Sequence, residues 1–93
     1  FVVDSADALF RAADILAMHK ARIDYGPGRH GITRGTTIYF FDPSGNRLET
    51  FGGYTAYQMD PDSRAIRWTQ DQIGPAVFYY SQELNETFLS VYT

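Results

Sequence analysis

Apolar residues recur at Leu9, Phe10, Ala13, Leu16 and Ala17, while Asp7, Arg11 and Asp14 fall on the opposite side of a helical wheel. That spacing predicts a helix from about Ser5 to Lys20, with Asp4 or Ser5 capping its free amides. Ile15 and Met18 lie outside the stripe, so cover on more than one side is expected. Ile23 to Tyr25 reads as a short strand stopped by Gly26-Pro27-Gly28. Thr36 to Phe41 is rich in β-branched and aromatic residues and predicts a second strand; Arg47 to Phe51 predicts a third. Between them, Asp42-Pro43-Ser44-Gly45-Asn46 is a turn in which Pro43 pre-sets φ, Asp42 bonds back to the chain and Gly45 tolerates positive φ.

Beyond Gly52-Gly53 the pattern weakens. Tyr54 to Arg67 predicts a long irregular stretch with its turn at Asp60-Pro61-Asp62-Ser63. Arg67 to Thr69 predicts a short strand, Asp71 to Gly74 one helical turn, Val77 to Tyr80 an extended piece and Phe88 to Tyr92 a final strand or tail. Phe1-Val2-Val3 reads as the end of a strand. The division expected is a module over 1–53 and a loop and tail over 54–93 packed on it.

Strand alternation fixes which side chains meet. With residues 42–46 as the loop, Phe41 faces Arg47 and Tyr39 faces Glu49, and opposed Cβ atoms lie ~5 Å apart. A phenol and a carboxylate then share one face, with His30 entering from the preceding loop. A mid-strand Glu between apolar neighbours needs a partner. Arg47, Arg29 or Arg34 would serve as a structural ion pair, and a metal ion is the other option.

Composition narrows the chemistry. The 93 residues hold no Cys, which excludes disulfides and thiolate ligands and leaves His, carboxylate, Tyr or backbone for any metal. A net charge of −3 without a clustered basic patch argues against nucleic acid. No apolar run approaches the ~20 residues of a membrane span. Seven Tyr and seven Phe suit an aromatic-ligand cavity and equally a buried interface. His19, expected in the last helical turn, is read as compensating the helix dipole. Asn85-Glu86-Thr87 matches a glycosylation sequon, taken as accidental.

One longer pattern brings these residues together. His30, seven residues, Ile38-Tyr39, two residues, Asp42-Pro43-Ser44-Gly45, three residues and Glu49 resembles, without a gap, the motif of the extradiol ring-cleavage dioxygenases. The similarity extends through Phe10 to Asp14, Ile23 to Pro27, Trp68 to Gln72 and Asn85 to Phe88. It implies an α+β fold: a βαβββ module of the vicinal oxygen chelate type, with most of its first strand missing, followed by a C-terminal tail.

The resemblance, to the catechol 2,3-dioxygenase branch in particular, also implies a chemistry. Glu49 would be the carboxylate ligand of a non-haem Fe(II), whose two His ligands are not in this chain. His30 would hydrogen-bond bound substrate beside the metal, and Tyr39 would contact a catechol oxygen. Arg34 stands where some catechol dioxygenases carry a further His. Asp42, Pro43 and Gly45 shape the turn, while Phe51, Trp68, Phe78 and Tyr79 are expected in packing before pocket wall. The implied enzyme cleaves catechol or an alkylcatechol with O₂ in aromatic compound catabolism, as a cytoplasmic homotetramer, and this fragment alone would be inactive. A glyoxalase-type metalloenzyme and a non-catalytic module binding a small aromatic ligand remain open alternatives.

Overall fold

The computed structural model describes residues 1–53, 61–62 and 64–92. The elements run β1 (Val2–Val3), α1 (Ala6–Met18), β2 (Ile23–Arg29), β3 (Thr36–Phe41) and β4 (Arg47–Gly52), then a 3-10 turn (Gln70–Gln72), α2 (Ile73–Val77) and α3 (Glu86–Ser90). Among the described residues the sheet has four strands in the order β1–β4–β3–β2, with β1 parallel to β4 and the other pairs antiparallel. This is the predicted βαβββ order in an α+β fold.

Helix α1 begins where its cap is. Ser5 is extended, and its hydroxyl accepts from the Ala8 amide at 3.1 Å. The helix ends at Met18, two residues sooner than expected, with His19 as its C-cap. Of the apolar stripe, Leu9 is fully buried, which contributes about 1.5–3 kcal/mol. Phe10, predicted to lie inward, is instead exposed together with Ile15 and Met18. Leu9 and Phe10 share a crevice with Thr36, so α1 covers the sheet face carrying Thr36 and, by alternation, Ile38. The other face carries Thr37, Tyr39, Phe41, Arg47, Glu49 and Phe51.

The hairpin forms as read. Tyr39 pairs with Glu49 and Phe41 with Arg47. Asp42 Oδ1 accepts from the amides of Ser44 and Asn46, both at 2.9 Å, and Gly45 has φ +87°. The Asp42 carboxyl is held below its ordinary value by the Asn46 side-chain amide and these backbone donors.

Strand β2 differs from expectation. Rather than stopping at Tyr25, it continues through Gly26-Pro27-Gly28 to Arg29, with register shifts and a cis Gly26–Pro27 bond. As the outer strand it tolerates a proline that removes a ladder donor. Gly26 sits at φ +98°, where a Cβ would fall 2.4 Å from the Thr37 carbonyl oxygen, so only glycine fits this crossing.

The C-terminal predictions fare unevenly. The helical turn near Asp71 is present and longer than read, running through α2. Arg67–Thr69 is not a strand, and Val77–Tyr80 is the end of α2 followed by a turn. Phe88 to Ser90 lies in α3, not in a strand: Asn85 caps it by accepting from the Phe88 amide at 2.8 Å. The irregular stretch over 54–67 and its turn fall largely outside the described residues.

Candidate active site

Alternation and register bring the predicted trio together. Tyr39 and Glu49 are cross-strand partners on the face away from α1. His30 follows the last residue of β2, and its ring turns back over that face. His30 Nε2 lies 3.2 Å from Glu49 Oε1, and the Tyr39 hydroxyl lies 3.4 Å from the same nitrogen, a long contact. The three line an open cleft of about 450 Å³ with Phe1, Val2, Thr33 and Phe51.

Two further groups, not singled out from the sequence, complete the cluster. Thr37, fully buried, donates its hydroxyl to Glu49 Oε1 at 2.7 Å. Its position two residues before Tyr39 puts it on the same face, so the alternation rule was the signal for it. The second is the Val77 carbonyl, which accepts from His30 Nδ1 at 2.5 Å. A backbone oxygen on a distant helix leaves no mark in the sequence.

The Val77 contact decides what His30 can do. Because a carbonyl only accepts, Nδ1 carries a proton. A neutral imidazole then offers the Nε2 lone pair to the Tyr39 hydroxyl. Only the imidazolium has a second N–H to give Glu49. Burial alone would lower the pKa of His30, but the hydrogen bonds to Glu49 and Val77 and the Glu49 charge outweigh it and raise it. Glu49 is pulled below its ordinary value by the His30 hydrogen bond, against burial, with help from Thr37. Tyr39 is pushed well above its ordinary value by burial and then by the Glu49 charge. Its phenol is therefore a proton-bearing donor at neutral pH.

Arg47 turns to Asp24 at 3.5 Å, and Glu49 pairs with His30. The Glu49 side chain is 35% exposed and opens into the cleft, the donor type a hard or borderline divalent cation takes. Among the described residues no three His, Cys, Asp or Glu side chains gather as a metal cluster. A metal at Glu49 therefore fits only with donors from beyond these residues.

The remaining sequence candidates separate into wall and packing. Phe51 lies with its ring centroid 6.4 Å from that of His30. Phe78 is fully buried and stacks on Tyr25 at 3.7 Å. Arg34, Trp68 and the half-exposed Tyr79 line a smaller crevice of about 360 Å³ on the other side of His30. His19 lies apart, in a concavity beside the hairpin turn.

A family model described as the Glyoxalase/Bleomycin resistance protein/Dioxygenase superfamily matches residues 1–50. The chain belongs to this superfamily. Within it, a metapyrocatechase from Pseudomonas sp. (strain CF600) is 48% identical over 100% of this chain and 30% of its own length. A manganese-dependent 2,3-dihydroxybiphenyl 1,2-dioxygenase from Geobacillus genomosp. 3 is 40% identical over 90% of the chain and 27% of its own length. Among solved structures, the 2,3-dioxygenase LapB from Pseudomonas sp. KL28 aligns with a TM-score of 0.63 and 50% identity, over 76% of this chain and 24% of that one. The chain thus spans less than a third of the length of the curated relatives it matches. It shares the superfamily's fold, one of these relatives is named as manganese-dependent, and no described helix is long and apolar enough to cross a membrane.

Proposed function

We propose that this chain is the C-terminal part of an Fe(II)-dependent extradiol dioxygenase that cleaves catechol or an alkylcatechol with O₂ to a 2-hydroxymuconic semialdehyde. The observation that carries the reading is the cluster in which His30 and Thr37 meet the Glu49 carboxylate and Tyr39 meets the same His30 nitrogen, with His30, Tyr39 and Glu49 lining one cleft. The similarity to named dioxygenases supports it. In this reading residues 1–53 form the site-bearing module and 54–93 its C-terminal portion, whose described residues Val77 and Phe88 reach His30 and Tyr39.

In this reading Glu49 is the chain's own metal ligand, and two imidazoles from the rest of the protein complete the set. The metal supplies Lewis acidity and open coordination positions. Everything else falls to the side chains. Thr37 holds Oε1 of Glu49 and so fixes the carboxylate. Tyr39, kept protonated, donates to a catechol oxygen and orients the ring. His30, its Nδ1–H tied to Val77, presents Nε2 to the substrate as acceptor or, once protonated, as donor. It therefore holds or returns the proton that a catechol hydroxyl loses on binding. Both atoms of O₂ enter the product, so no external reductant is needed. The whole enzyme works in the cytoplasm as a homotetramer in aromatic catabolism, a part of the reading that rests on the family resemblance alone.

Oxygen uptake and the yellow product, measured on the full-length protein with catechol, test this. Stoichiometric uptake with Fe(II), absent from the isolated 93-residue chain, is expected. Activity with Mn(II) alone would overturn the choice of metal. Catechol binding without oxygen uptake would overturn the reaction, and glyoxalase activity in its place would assign the superfamily's other chemistry.

A further inference from the structure

The face of the sheet that carries the site is covered by the C-terminal segment, and the contacts that hold the segment down converge on Arg47 and Asp24. Asp24 on β2 and Arg47 on β4 flank the strand that bears Tyr39. Their side chains are 3% and 11% exposed, and Arg47 Nη1 lies 3.5 Å from Asp24 Oδ2. The closer bonds of Arg47 go elsewhere. Nη1 donates to the Thr87 carbonyl at 3.0 Å and Nη2 to the Val91 carbonyl at 2.7 Å. Asp24 in turn accepts the Thr87 hydroxyl at 2.6 Å, and its backbone carbonyl accepts the Asn85 amide at 2.8 Å.

An ion pair that only stabilised the sheet would gain little for its desolvation. Here the two terminal nitrogens of the guanidinium bond carbonyls in the first turn of α3 and just past its end, and Asp24 orients the group while gripping the residues that start that helix. A five-residue helix has no stability of its own in water, so its position is that of its anchors. The anchors set one ring in particular. The Arg47 guanidinium lies 4.7 Å above the ring of Phe88. Phe88 meets Tyr39 edge-on at 5.4 Å and Phe78 at 4.8 Å.

We propose that Arg47 is a positioning residue for ring cleavage: with Asp24 it docks Asn85 to Val91 so that Phe88 closes against Tyr39 and fixes the phenol beside Glu49. This rests on the reading of Tyr39 as a substrate contact. A lysine keeps the charge but cannot serve both carbonyls from one planar fork, so the swap is not conservative here.

The test uses full-length, iron-loaded protein. Arg47→Lys should raise KM for catechol on the order of tenfold, since small misplacements of reacting groups cost that much or more. Bound iron should stay at the wild-type level. Asp24→Asn should act in the same direction and serves if Arg47→Ala does not fold. If Arg47 acts through Phe88, Arg47→Ala should add less than about twofold to the defect of Phe88→Ala, because coupled residues are not additive. Wild-type KM and kcat in Arg47→Lys, or fully additive effects in the cycle, would overturn the proposal. Glu49→Gln separates the two readings. If it is inactive while the Arg47 variants are normal, only the positioning role fails. If it is fully active, the site reading fails, and limited proteolysis of the Arg47→Lys C-terminus still decides whether Arg47 docks the segment.

Discussion

The hairpin β3–β4 and the segment from α2 to α3 meet around His30 and Tyr39 but are built by different means. The hairpin places Tyr39, Thr37 and Glu49 through a continuous backbone ladder whose register is set by five turn residues. The C-terminal segment is placed by scattered contacts: the Val77 carbonyl on His30, the Ile32 and Tyr79 amides on Ala76 and Arg29 carbonyls, and the Asp24–Arg47 anchor. The ladder delivers groups that must be held to a fraction of an ångström, and the segment delivers cover. Chemistry resides in the rigid region and enclosure in the tethered one.

Substitutions sharpen or break that division. The largest effect is expected at Glu49: Glu49→Gln should lower ring-cleavage activity of the full-length protein more than about a hundredfold with matching loss of bound iron, read by oxygen uptake and metal analysis. Retained activity would show that the rigid region does not carry the chemistry. Next comes the segment's own core. Phe78→Ala, at a fully buried ring, should cost about 3–5 kcal/mol in denaturant unfolding. A cost near zero would mean that the segment is not integral to the fold.

A smaller effect is expected at Thr37. Thr37→Val keeps the shape and removes the donor to Glu49, so metal affinity should fall about 10–100-fold with stability nearly unchanged. The smallest is at the turn. Asp42 has a folded pKa below its unfolded one, so its contribution is present above the unfolded value and lost as pH falls through the folded one. Acid titration should therefore lower stability less in Asp42→Asn than in the wild type across that window.

The same division explains what was legible in the sequence. Register across β3–β4 follows from five adjacent turn residues and strict alternation, so the Tyr39–Glu49 pairing could be worked out before any coordinates. Helix α1 was legible too, but Phe10 was not, because exposure depends on what packs against each side of the stripe. Strand β2 was cut short at Gly26-Pro27 since a proline normally ends a strand, and its outer position in the sheet was not visible. Helix α3 was missed although Asn85 and Glu86 form an ordinary helix start; Phe88 to Tyr92 alternates just enough to read as a strand. The sequon residues proved to be structural, with the Asn85 amide nitrogen bonded to Asp24. Arg47 was weighed only as a partner for Glu49, because sequence distance gave no hint that a chain end would return to it.

The oxygen that orients His30 belongs to the main chain of residue 77. Mutation at that codon replaces a side chain and leaves the acceptor where it was. The proton assignment of the imidazole is therefore insulated from most sequence drift in α2, and it is vulnerable instead to insertions or deletions that shift the path of the helix.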